Sequence, residues 1–179
     1  ALDLRLGAPD TLGPELVTNG DFDSNINGWT PQGSVTASRD TSIFPSGALK
    51  LQVDDASNTF VEQSLGSNFI VGRKYKATAT VYTSSLTQSN AGAAISFVSL
   101  AFTDATAVVQ SQKDVAQTLT IYFTATSTTH IIYLAICTTD FLDWGDAGSV
   151  AYFDNISVRE IPGNHLLQAT STARPLLSG

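Results

Sequence analysis

The chain has 179 residues, 42% of them hydrophobic and 14% charged, with a net charge of −7 from 9 Lys and Arg against 16 Asp and Glu. No basic stripe is visible, which argues against a nucleic-acid partner, and no run approaches the roughly 18 apolar residues of a membrane-spanning helix. The charged fraction lies under the roughly 25% of an average soluble domain. Ser and Thr supply most of the remaining polarity, which suits solvated antiparallel strands better than helix interiors.

The length suffices for one good core. Cys137 is the single cysteine, so no intrachain disulfide can form and the compartment cannot be read from thiols. Its apolar run, Ile131-Ile132-Tyr133-Leu134-Ala135-Ile136, predicts a buried, inert thiol. No signal peptide is evident and Met is absent, as expected of a fragment or a piece processed from something longer.

In chain order, residues 1–14 read as a linker or the end of a preceding region. Strands are predicted over 15–22, 34–38, 48–53, 59–64, 74–82, 94–102, 118–125, 130–137 and 150–158, separated by Gly, Asn, Asp, Ser and Pro clusters such as Pro45-Ser46-Gly47 and Gly66-Ser67-Asn68. The stretch 74–82 puts Tyr75, Ala77, Ala79 and Val81 on one face, and 118–123 does the same with Leu119, Ile121 and Phe123. Both patterns mark half-buried strands. Residues 94–102 and 130–137 are more continuously apolar, as central strands are. With no helical period, the expectation is an all-β, two-sheet antiparallel sandwich over 15–161. Residues 162–179 read as an extended connector whose leucines can pack on a neighbouring chain or domain.

The last predicted strand holds an anomaly. Under strict alternation Val150, Tyr152, Asp154, Ile156 and Val158 share a face, which places a carboxylate among apolar neighbours. A buried carboxylate must be paired, hydrogen-bonded or metal-bound, because an unpaired one costs several kcal/mol. If the first and last strands lie side by side, Asp23 meets Asp154, and a hard cation between them resolves the charge.

Four motifs, taken together, carry a resemblance. Asn19-Gly20-Asp21-Phe22-Asp23, Asn27-Gly28-Trp29, Ser46-Gly47-Ala48-Leu49-Lys50-Leu51 and Tyr152-Phe153-Asp154-Asn155-Ile156-Ser157-Val158 resemble the galactose-binding-like jelly rolls of the carbohydrate-binding-module type. The resemblance implies a jelly-roll sandwich with adjacent termini and a structural calcium ion. It assigns the ion's ligands to Asp23 and Asp154, with backbone carbonyls near Gly20 and Lys50, and with Asp21 as a further candidate. Calcium accepts such an all-oxygen set. The alternative is that Asp154 only accepts backbone hydrogen bonds. The tail, with Pro162-Gly163-Asn164-His165 and Ala173-Arg174-Pro175, is similar to stretches that follow such domains in tailed-bacteriophage structural proteins.

Trp29, after a turn, is either a sugar platform or a plug in the core; the resemblance implies the plug. The loop Phe141-Leu142-Asp143-Trp144-Gly145-Asp146 combines rings that can stack on sugars with carboxylates that accept hydroxyl hydrogen bonds. Phe141, Asp143, Trp144 and Asp146, with Tyr82 and Gln88 near another loop, are therefore the candidate ligand-binding residues. The competing reading has the loop capping the sandwich or touching another protein. Catalysis finds no support: no carboxylate pair sits in glycosidase context, and His130 and His165 lack zinc-site spacing.

These readings converge on a non-catalytic domain of a phage tail or fibre protein, placed on the virion or otherwise extracellular. It would bind host-surface glycans or dock to other virion proteins, with homo-oligomerisation expected by analogy to that setting. The alternatives are a module of a secreted glycoside hydrolase, or a structural domain without glycan affinity.

Overall fold

The computed structural model describes residues 12–55, 59–86, 91–97, 107–110, 112–138 and 144–162. In these residues the chain forms ten strands: β1 (Thr30–Gln32), β2 (Val35–Asp40), β3 (Ala48–Val53), β4 (Phe60–Ser64), β5 (Lys74–Ser85), β6 (Ala91–Phe97), β7 (Ala107–Val109), β8 (Gln117–Thr124), β9 (Ile131–Thr138) and β10 (Val150–Glu160). They pair into two five-stranded sheets, β1-β4-β9-β6-β7 and β2-β3-β10-β5-β8. Every pairing is antiparallel. The all-β jelly-roll sandwich expected from the sequence is the fold observed.

The core lies between the sheets. Leu49, Leu51, Val81 and Phe153 from one sheet meet Val61, Ile95, Leu134 and Ile136 from the other. Each fully buried side chain of this kind contributes about 1.5–3 kcal/mol, against roughly 0–1 kcal/mol for an exposed ion pair. The sheet interface, not the surface charges, therefore holds the domain together. Trp29 joins this core: it is 5% exposed, packs on Phe22 with ring centroids 5.6 Å apart, and donates from Nε1 to the Asn19 carbonyl at 3.0 Å.

Three sequence expectations are corrected. Residues 15–22 are not a strand; Asn19 and Phe22 have φ of 53° and 50°, which breaks extended backbone. The segment still runs antiparallel beside β10, through Gly13 N to Glu160 O (2.9 Å), Leu16 N to Val158 O (3.0 Å) and Ile156 N to Gly20 O (2.9 Å). The short strands β1 and β7 were not anticipated, and the strand expected over 94–102 begins earlier, at Ala91.

The third correction concerns β10. Its register with β5 shifts between Asp154 and Ser157, and Asn155 there has a φ of 50°. Such a bulge inserts a residue and reverses which face follows. Ala151 and Phe153 point into the core before it, and Ile156 and Val158 after it. Asp154 therefore shares the outward face with Tyr152, not the core face of Ile156 and Val158. It is nevertheless only 2% exposed.

Candidate functional site

Alternation along β4 turns Val61 and Gln63 inward and Phe60, Glu62 and Ser64 outward. On β9 it turns Ile132, Leu134 and Ile136 inward, leaving Tyr133, Ala135 and Cys137 outward. The register then sets Glu62, Tyr133 and Ser96 in one cross-strand row, and Gln32, Phe60, Ala135, Ala94 and Val109 in the next. A sheet face turned to water is ordinarily polar. This one carries a second apolar cluster of Phe60, Ala94, Tyr133, Ala135 and Cys137, with Trp144 packed against it.

The rings share this face. Phe60 and Tyr133 meet edge to face at 5.5 Å, and Phe60 and Trp144 lie 6.1 Å apart with their planes 32° from parallel. Trp144 is placed by a bridge to Cys137 alongside the end of β9. Between the rings the positions are small: Gly92, Ala94 and Ala135. The rings flank a row of small residues in which Ala94 and Ala135 are fully buried and Gly92 is covered by the Gln110 carbonyl. The polar members of the face are Glu62 and Gln32, joined from Gln32 Nε2 to Glu62 Oε1 at 3.1 Å. Burial, with the Glu62 charge adding to it, pushes the Tyr133 phenol above its ordinary pKa and keeps it a neutral donor.

The predicted ligand residues do not all converge here. Trp144 lines this face. Tyr82 lies on the outer face of the other sheet, against Tyr152 at 6.2 Å. Asp146 is half-buried in the turn before β10, where its carbonyl accepts from Ser149 N at 3.0 Å. Phe141, Asp143 and Gln88 lie outside the described residues. Phe60, Tyr133, Glu62 and Gln32 were missed from sequence. The signal available was the unbroken apolar run through β9, which marks a strand covered on both faces.

The acidic residues form a second locality. Among the described residues both Asp154 oxygens are bonded to Asn155 alone, Oδ1 from its amide N at 2.7 Å and Oδ2 from its Nδ2 at 2.8 Å. Burial pushes the Asp154 carboxyl above the usual range, the Asn155 amide opposes this, and the charges of Asp23 and then Asp21 push it further up. Among the described residues no basic side chain is bonded to it. Asp23 itself is exposed, and Arg39 grips the carbonyls of Phe22, Asp23 and Ser46, each at 2.7 Å.

Gly20 packs so tightly on the bulge that a Cβ would sit 2.2 Å from the Ile156 carbonyl oxygen. Lys50 is half-buried in β3 opposite Tyr152. Among the described residues no three acidic, His or Cys side chains are grouped to hold a metal. A buried carboxylate with no bonded cationic partner among the described residues, and with the charges of Asp23 and Asp21 acting on it, fits a hard, oxygen-seeking ion in kind.

Residues 14–141 match the family described as carbohydrate binding domain. The chain belongs to this family. No curated protein matches this carbohydrate-binding domain. Among solved structures it is similar to the xylan-binding CBM22-1 domain of Xyn10C from Paenibacillus barcinonensis, with 14% identity and a TM-score of 0.54 over 83% of this chain and 96% of that one. It is also similar to an arabinose-bound α-L-arabinofuranosidase, with 13% identity and a TM-score of 0.61 over 86% of this chain and 27% of that one. Tailspike protein 4 of bacteriophage CBA120 is a further likeness, at 15% identity and a TM-score of 0.56 over 82% of this chain and 21% of that one. At these identities the structural likenesses establish the fold alone.

Proposed function

We propose that this carbohydrate-binding domain is non-catalytic and holds a glycan across the outer face of the first sheet. Phe60, Tyr133 and Trp144 offer ring surfaces to the apolar faces of sugars, while Glu62 and Gln32 offer hydrogen-bonding groups to hydroxyls. The observation that carries this reading is the aromatic cluster, distinct from the core between the sheets, on the outer side of the first sheet, where Phe60 and Tyr133 are 7% and 8% exposed and Trp144 is half-buried. Affinity electrophoresis against a panel of soluble polysaccharides tests it. At least one polysaccharide should retard the protein, and Trp144→Ala and Glu62→Gln should each weaken that retardation. Retardation by none of them, or retardation indifferent to both variants, overturns the reading.

The likeness to the xylan-binding domain and to the arabinofuranosidase favours an extracellular accessory module that concentrates a catalytic partner on polysaccharide. The tailspike likeness favours a second setting, a virion component contacting host glycans or other virion proteins.

We also propose a structural calcium ion held by Asp154 and Asp23 with backbone carbonyls around Gly20 and Lys50. The ion would neutralise the carboxylate charge. Asp154 would accept it from β10 and Asp23 from the N-terminal segment, tying the two ends of the domain together.

A further inference from the structure

The outer face of the second sheet ends in a groove that the readings above leave unused. It measures about 400 Å³ and is lined by Lys74, Tyr122, Phe123, Thr124 and Ile161. Strand alternation produces it. With Tyr75, Ala77, Ile121 and Phe123 turned into the core, the intervening Lys74, Lys76, Tyr122 and Thr124 must face outward. The register sets Lys74 opposite Thr124, and Lys76 between Tyr122 on one side and Arg159 on the other.

Two properties set this corner apart. Tyr122 is 64% exposed, although burying a ring of that size is favourable. Positive charge also collects here: four of the nine basic residues, Arg73, Lys74, Lys76 and Arg159, lie at this end of a chain with net charge −7. The neighbouring acids are already engaged, Glu160 with Arg73 at 2.7 Å and Glu15 with Arg159 at 3.0 Å. Lys74 and Lys76 have no carboxylate partner among the described residues. A locally positive groove on an acidic protein attracts a ligand of opposite sign and repels one of the same sign.

We propose that this groove is a second glycan site, selective for carboxylated sugars such as uronic-acid chains. The Tyr122 ring stacks on a sugar face, Lys74 and Lys76 pair with carboxylates, and Thr124 supplies a hydroxyl. The site is independent of the face on the first sheet. A neutral glycan gains nothing from the lysines, so the two faces divide ligands by charge.

The test is titration calorimetry of the full chain with oligogalacturonate and with a neutral xylo-oligosaccharide, at low and at high NaCl. Oligogalacturonate should bind, and more weakly at high salt as exposed charges are screened. Tyr122→Ala should weaken it by about tenfold, and Lys74→Glu with Lys76→Glu should abolish it. Any neutral-ligand binding should be unchanged by these substitutions, and circular dichroism should report the same fold.

Oligogalacturonate binding that survives the lysine pair, or that disappears with Trp144→Ala instead, overturns the assignment. So does equal affinity for duplex DNA, which would reduce the patch to general polyanion attraction. Self-association abolished by the lysine substitutions, with no uronate binding, would make the occupant a second copy and likewise overturn it. Absence of neutral-ligand binding would count against the first face and leave this site standing.

Discussion

Gln63 and Thr18, 45 positions apart in the chain, are joined as a closed pair: the Gln63 Oε1 accepts from the Thr18 amide and its Nε2 donates to the Thr18 carbonyl, both at 2.8 Å. Gln63 is 5% exposed, so the N-terminal segment receives from one side chain what a neighbouring strand would otherwise provide. On the opposite sheet the Glu15 carboxylate plays the matching part. It accepts from Val158 N at 2.7 Å, Ser157 Oγ at 2.6 Å and Arg159 Nε at 3.0 Å. Partial burial opposes the Glu15 charge, but these bonds and the Val17 amide outweigh it and hold the carboxyl below its ordinary pKa. The segment thus fastens to both sheets and closes one end of the sandwich.

Gln63→Ala removes three part-buried hydrogen bonds, the two to Thr18 and a longer one to the Gly28 carbonyl at 3.3 Å, and strands the Thr18 backbone, so a loss of about 2–3 kcal/mol is expected. Urea unfolding followed by Trp fluorescence measures it, with Trp29 reporting on the same region. A midpoint equal to the parent's would show that water satisfies Thr18 equally well.

Gly20→Ala should be more costly than a surface change, because the obstacle at 2.2 Å is the Ile156 carbonyl oxygen, a backbone atom. Separating the segment from β10 also breaks the Ile156 N to Gly20 O bond. A destabilisation of roughly 2–4 kcal/mol is expected. Thermal melting that shifts by less than the error of the measurement would count against so close an approach.

Asp154 has a folded-state pKa above its unfolded value of 3.8, so its contribution to stability is full below that value and is lost as pH rises through the folded pKa. In chelator, the parent should therefore gain stability relative to Asp154→Asn as pH falls from neutral toward 4 (roughly the ordinary carboxyl range). With calcium the parent should melt higher at neutral pH while the variant does not respond. Parent melting indifferent to calcium and chelator alike would remove the ion from the site.

His130 is 4% exposed and packs edge to face on Phe69 at 4.7 Å and on Phe123 at 5.7 Å. Burial pushes its pKa below 6.5, with a bond to the Ser127 backbone opposing the shift. A depressed pKa means stability fully present above the unfolded value and lost as pH falls through the folded one. Melting temperature should fall on acidification below the ordinary imidazole pKa, and His130→Phe should flatten that slope. An identical slope in the variant would assign the titration to another group.

The strands legible from sequence are those whose burial repeats every second residue. β5 and β8 show Tyr75, Ala77, Ala79 and Val81, and Leu119, Ile121 and Phe123, turned to the core as read. β1, with Thr30, Pro31 and Gln32, has no such pattern because three residues span too little for a period to show. It becomes a strand by pairing with β4. The 15–22 segment alternates in sequence, yet side-chain clamps and two left-handed residues hold it where no full ladder forms.

The amino-acid order alone determined the pattern of apolar alternation, and so an all-β sandwich and the family's motifs, since side-chain spacing along one strand is a local property. Tertiary structure decided what depends on partners. A bulge at Asn155 turned Ile156 and Val158 to the core and left Asp154 on the outward face with Tyr152, and strand register put Phe60 beside Tyr133 on one face while sending Tyr82 to the far sheet. Register is set by the packing of whole sheets, and a one-residue shift exchanges every face. Residues distant in the chain therefore share a site only after the sheets have formed.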